Sequence, residues 1–155
     1  MAMDPTASRN NARMSIKKFL IDNIETAQSK KIFFDFGYSL PNEENKDLTQ
    51  WFSVKIGAMK RGGLSDFITE IICATRQDLD GDLLGEMSDI VFDLMTDKDQ
   101  PDGKRRIDFY DVSDDPWVSI GTLLVDSVID SEDMSGPDNT KYQVLTCKII
   151  WVAKA

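Results

Sequence analysis

Three aspartates alternate through Asp78-Leu79-Asp80-Gly81-Asp82, and Asp89 follows further on. Carboxylates at the first, third and fifth positions of a loop suit a hard cation such as calcium. A calcium loop of the helix–loop–helix kind also needs a glycine at its sixth position and a bidentate glutamate at its twelfth. Here the sixth position is Leu83, the glycine falls at the fourth, and the twelfth is Asp89, one carbon short. The segment upstream alternates like a strand where such a loop needs a helix. The same carboxylates suit a helix N-terminus, where Asp80 or Asp82 would accept backbone N–H groups at the positive end of the dipole. Helix capping is therefore the expected role, and no metal ligand is assigned. An interaction edge is the remaining alternative.

Other chemistry is thinly represented. The chain has no histidine, which removes Ser-His-Asp and Cys-His catalysis and the commonest metal ligand. Cys73 and Cys147 both fall in apolar alternating segments, as buried free cysteines do. They would form a disulfide only if their strands lie adjacent with the right geometry, and two cysteines without histidine make a poor zinc set. Asp114-Asp115 and Glu132-Asp133 are paired carboxylates in loops, whereas acid–base work needs a pocket that separates two pKa values. Lys60-Arg61-Gly62-Gly63 reads as a turn, and neither Gly81 nor Gly85 opens a phosphate loop. No catalytic residue and no cofactor-binding residue is assigned, and the expectation is that the protein is not an enzyme.

The elements that must carry these residues follow from length and patterning. A chain of 155 residues is one domain with room for a sizeable core. Apolar residues make up 41%, charged residues 29%, and the net charge is -9. Such acidity opposes bulk binding to a phosphate backbone, because counterion release requires Lys and Arg. No apolar run reaches the length of a membrane span. Residues 1–14 lack an apolar signal core, so they read as a disordered arm or leader, with Met14 an alternative start and the cytoplasm the default compartment. A single domain is then expected over 15–155.

The spacing predicts a helix over 15–28, capped by Ser15, with Ile16, Phe19, Leu20, Ile24 and Ala27 on one stripe. Strands follow at 31–38, 50–59 and 65–75, the latter two as an antiparallel hairpin. In the second strand Phe52, Val54 and Ile56 share a face. In the third, Phe67, Ile71 and Cys73 oppose Ile68, Ile72 and Ala74. A polar loop at 40–49 separates the first two strands. A second helix over 82–95 carries Leu83, Met87, Ile90 and Leu94, broadened by Leu84, Val91 and Met95. A turn at 97–104 leads to strands at 105–112, 118–129 and 141–152, the last two joined by an acidic loop. The order helix, three strands, helix, three strands argues an α+β fold, with two principal helices packed on a mainly antiparallel sheet. Trp51, opposite Phe52, and Trp117, beside Pro116, suit either an interface or a second core layer.

This layout resembles the phage tail terminator proteins, the small neck proteins of long-tailed phages. The resemblance spans roughly residues 16–151. It is carried by the amphipathic first helix, Trp51-Phe52-Ser53-Val54-Lys55-Ile56, Phe67-Ile68-Thr69-Glu70-Ile71 leading into Thr75-Arg76-Gln77-Asp78, the helix 84–95, Arg106-Ile107-Asp108-Phe109-Tyr110-Asp111, and Thr146-Cys147-Lys148-Ile149-Ile150-Trp151.

The resemblance implies a structural virion protein that assembles as a homo-oligomeric, typically hexameric ring. Such a ring caps the head-proximal end of the tail tube, stops tube polymerisation and presents a surface to the head–tail connector. DNA passes through its lumen without specific binding, and no cofactor or membrane is involved. The implied location is the virion neck, with assembly in the host cytoplasm. An acidic lumen would repel DNA and keep the passage slippery. In that setting Asp78, Asp80 and Asp82 would supply a contact or a repulsive edge. Alternatives are another neck or tail component, such as a head–tail joining or tube protein, and a calcium-dependent binding module built on those three aspartates.

Overall fold

In the computed structural model, residues 8–34, 48–60, 64–136 and 139–152 are described. Helix α1 (Arg9–Leu20) opens the fold and continues into a π-helical turn, Ile21–Thr26. Strands β1 (Lys31–Phe34), β2 (Gln50–Lys60) and β3 (Leu64–Thr75) follow, then helix α2 (Asp82–Met95). The second half holds β4 (Arg106–Asp111), β5 (Val118–Asp130), the two-residue β6 (Met134–Ser135) and β7 (Lys141–Val152). The architecture is α+β, with two helices on a mostly antiparallel sheet ordered β1-β2-β3-β7-β5-β4 and β6 paired to β7.

The β2–β3 hairpin forms as its alternation requires, with Phe52 opposite Cys73 and Val54 opposite Ile71. β7 lies at the centre, paired along its whole length with β3 and on its other side with β5. β1 runs parallel to β2.

One face of this sheet makes the main core. Phe52, Val54, Phe67, Ile71, Cys73, Leu145, Cys147, Ile149 and Trp151 point to it, with Ile107, Phe109, Leu123 and Val125. Both helices close over that face, α1 through Ala12, Ile16 and Leu20, and α2 through Leu84, Met87, Val91 and Met95. Phe67 and Phe109 meet the Trp151 ring edge-on at 5.5 and 5.8 Å between centroids, the arrangement aromatic quadrupoles favour.

Thr69 sits on the same apolar face, fully buried and opposite Cys147. Its hydroxyl has no hydrogen-bond partner among the described residues. A buried unsatisfied hydroxyl is costly, and an apolar group of the same shape is not. Thr69→Val is therefore expected to raise stability by about 1 kcal/mol, read as a higher midpoint in urea with an unchanged slope. A lower midpoint would show that the hydroxyl is satisfied in solution.

Helix α1 also covers an edge. The outer side of β4 would leave its N–H groups open, which edge strands must manage. Ser15 Oγ accepts from Tyr110 N–H at 2.8 Å, and Asn11 Oδ1 accepts from Val112 N–H at 3.1 Å. Asn11 Nδ2 also donates to Asp111 Oδ1 at 3.3 Å.

Several expectations are corrected here. The helix begins at Arg9, with Ser8 as its cap, and Ser8 Oγ accepts from Asn11 N–H at 3.2 Å. The helix thus takes in residues 9–14, expected as part of the arm, whereas 1–7 lie outside the described residues. Ser15 is a buried interior residue whose hydroxyl donates to the Asn11 carbonyl at 2.7 Å. The buried stripe of α2 is Leu84, Met87, Ser88, Val91 and Met95, while Leu83, Ile90 and Leu94 are half-buried flanks. The second half holds four strands, because β6 adds a short rung to β7 at Met134–Tyr142 and Ser135–Lys141. The expected strand residues 35–38, most of the 40–49 loop and the turn at 61–63 lie outside the described residues.

Candidate assembly surface

The acidic join between β3 and α2 is a helix start, but its cap is not the expected one. Gly81, with φ of 76°, takes the left-handed backbone at the N-cap position and contributes no side chain. Asp78 does the capping from farther back. Its carboxylate accepts from Leu83 N–H at 3.3 Å, from Leu84 N–H at 3.0 Å and from the Thr75 hydroxyl at 3.2 Å. Burial pushes the Asp78 carboxyl up. The hydrogen bonds from Leu84, Leu83 and Thr75, with the charge of Lys141, outweigh that and hold it below the usual range. Asp80 and Asp82 are exposed and accept no bond in the cap. The three aspartates therefore do not converge. Among the described residues no group of three or more His, Cys, Asp or Glu is placed to hold a metal.

The join ends in an exposed knob. Leu79 is 92% exposed, and Lys141 Nζ donates to its carbonyl at 2.8 Å, tying the loop to the start of β7. Gln77 just before it adopts φ of 59°, a conformation uncommon for a residue with a Cβ.

Cys73 and Cys147 are free and buried in the core. They are not cross-strand partners, since Cys73 faces Gln143 and Cys147 faces Thr69. Burial pushes both thiols up, Cys147 to about 12 and Cys73 further, which leaves them inert as nucleophiles. The paired carboxylates Asp114-Asp115 and Glu132-Asp133 are exposed on connections. No described helix is long and apolar enough to cross a membrane.

The two tryptophans divide. Trp51 is 1% exposed, in a second cluster with Phe33, Ile72, Ala74 and Tyr142 on the sheet face away from the helices. The Arg76 guanidinium lies 5.2 Å above its ring. It is a second core layer. Trp117 is half-buried against Tyr110, at 6.2 Å, after the cis Asp115-Pro116 bond. With Met14, Ile21, Tyr110 and Pro116 it lines an open apolar groove of about 640 Å³ beside α1.

Beyond the second cluster, the face away from the helices presents Lys55, Glu70, Thr146 and Ile129 in one cross-strand row. Ile68 and Ile129 are 46% and 66% exposed there. On this curled sheet the two isoleucines stand in different cross-strand rows, among charged and polar residues. Sequence reasoning missed the groove because it joins α1 to the β4–β5 connection, a juxtaposition no local pattern records.

The chain matches no protein-family model, and no curated protein is significantly similar to it in sequence. Several solved structures are similar in fold; one of them aligns with a TM-score of 0.62 at 8% identity, over 96% of this chain and 99% of its own. At that identity the likeness establishes the fold alone.

Proposed function

We propose that this chain is a structural protein of a phage tail. It forms a homo-oligomeric ring on the head-proximal end of the tail tube, arrests tube growth and offers the head connector a docking surface. The observation that carries the reading is the open apolar groove at Trp117, with Ile68 and Ile129 exposed on the far sheet face as secondary contacts. Both suit contacts with further subunits better than with a small substrate. The element order behind the resemblance to tail terminators, from α1 through the β2–β3 hairpin and α2 to β7, is consistent with this use. A net charge of -9 suits a lumen that DNA crosses without sticking.

The test uses tail tube subunits that polymerise in solution. Adding the protein is expected to arrest tube length and to leave ring-shaped density at one end in electron micrographs. Light scattering on the same sample should report a closed oligomer. A joining protein would bind the connector and leave tube length unchanged. Tubes of unaltered length, with the protein monomeric throughout, would overturn the reading.

A further inference from the structure

The sequence contains two Asp-Gly steps, Asp80-Gly81 and Asp102-Gly103. This dipeptide carries a reaction that needs no enzyme and no cofactor. The glycine amide nitrogen, unshielded by a following Cβ, adds to the carboxyl carbon of the aspartate side chain. The amide hydrogen and the carboxyl OH leave as water, and a succinimide ring remains. Water then opens the ring at either carbonyl. Opening at the main-chain carbonyl leaves isoaspartate, whose backbone runs through the side-chain carbon and is one methylene longer. The neutral acid reacts faster than the carboxylate, because hydroxide leaves more readily than oxide.

The fold treats the two steps differently. The Asp102 carboxylate is pinned. Arg106 donates to its two oxygens at 3.3 and 3.0 Å, and Lys104 N–H donates to Oδ1 at 3.0 Å. Charge-assisted, two-pronged bonds of this kind fix a carboxylate in place and keep it ionised. They hold the Asp102 carboxyl below its usual range, the Arg106 bond first. The amide that would attack is also held, since Gly103 N–H donates to the Gln100 carbonyl at 3.0 Å. Asp80 is exposed, and its carboxylate has no hydrogen bond or ion pair among the described residues. Gly81 N–H makes only a longer bond, at 3.3 Å to the Asp78 carbonyl.

We infer that Asp80-Gly81 is the step at which this protein ages, passing through a succinimide to isoaspartate, while Asp102-Gly103 is protected by its own bonds. It goes beyond the ring reading and stands without it. The consequence lies in where the extra methylene falls. It enters the backbone between Asp78 and the N–H groups of Leu83 and Leu84, which the Asp78 carboxylate must reach to cap α2. Aged protein therefore loses that cap and melts at a lower temperature than fresh protein.

The test incubates full-length protein in warm, mildly acidic buffer made with heavy-oxygen water. Each passage through the ring leaves one heavy oxygen. Peptide mass spectrometry locates it, and electron-transfer fragmentation tells isoaspartate from aspartate. Label should accumulate at residue 80 well ahead of residue 102. In urea, where both steps are unfolded, the two should label alike. Arg106→Ala should raise labelling at 102 toward the level at 80, because Asp102 loses its two-pronged partner. Asp80→Ala should abolish reaction at its step and leave the melting midpoint of fresh protein nearly unchanged, since Asp80 accepts no bond in the cap. On ageing, the midpoint of the unmodified protein should fall while that of Asp80→Ala holds. Equal labelling of the two steps in folded protein, or faster labelling at 102, would overturn the assignment. A bias toward 80 that persists in urea would remove the role of the fold. Isoaspartate at 80 with an unchanged midpoint would break its link to the cap.

Discussion

A chain that begins at Met14 is expected to be about 3 kcal/mol less stable than the full-length protein. Three losses add up. The shortened helix starts without a side-chain cap such as Ser8 now supplies, worth about 1 kcal/mol. Removing Ala12 empties a fully buried position against the sheet, worth about 1 kcal/mol on the scale of a buried methyl. Removing Asn11 deprives the Val112 N–H of its acceptor, worth about 1 kcal/mol or more. For a domain of this size the melting midpoint should fall by about 6–12 °C. Asn11→Ala isolates the last contribution and should cost about 1–2 kcal/mol. Asn11→Asp should be no better. It keeps an acceptor for Val112 but sets a second carboxylate where the amide now donates to Asp111 at 3.3 Å. Urea melts of the three proteins decide it, and a truncated chain as stable as the full one would mean that the first helical turn contributes nothing.

The same segment shows why part of this fold was legible and part was not. Where burial repeats at a fixed local period, the sequence reveals it. The alternation in β2, β3 and β7 places Phe52, Phe67, Ile71, Leu145 and Cys147 on the core face as expected, and α2 has the expected bounds. Asn11 and Ser15 break the apolar pattern because their partners are strand N–H groups about a hundred positions away. Read locally, a serine before an apolar stripe is a cap. Here Ser15 and Asn11 cap a strand edge instead, and the helix extends past them. Trp51 is ambiguous in the sequence for a related reason. Opposite faces of one strand can both be buried, and only the approach of Phe33, Ile72 and Tyr142 makes the second face a core. The acidic join is a helix start, as its composition implies, yet the capping carboxylate is that of Asp78 and not of Asp80 or Asp82. Capping rules look to the position adjoining the helix, whereas the left-handed turn at Gly81 lets Asp78 reach back from outside it.

Asp78→Ala is expected to lower stability by about 2 kcal/mol, the sum of a lost cap and a charge-assisted bond to a buried hydroxyl. The change unfastens two elements at once, because the carboxylate joins Thr75 at the end of β3 to Leu83 and Leu84 at the start of α2. Asp78→Asn should fall between. Its one amide oxygen can serve Leu84, but its NH₂ group then faces the Leu83 N–H, donor against donor. The pH dependence separates this from simple loss of packing. The folded-state pKa of Asp78 lies below the unfolded value of about 3.9. Its charged-state stabilisation is therefore complete above that unfolded value and disappears as pH falls through the folded one. Stability of the full-length protein should decline below about pH 4. Asp102, whose carboxylate is bonded to Arg106, and Asp126, bonded to Lys104, are also held low and add to the decline, but both are exposed and screened. The Asp78→Asn protein keeps those contributions and loses only that of Asp78. Its stability should thus converge on that of the full-length protein as pH drops from 5 toward 2, with the gap widest near neutrality. A gap that stays constant with pH would mean that the carboxylate charge is irrelevant, and that position 78 matters only for the shape of the turn.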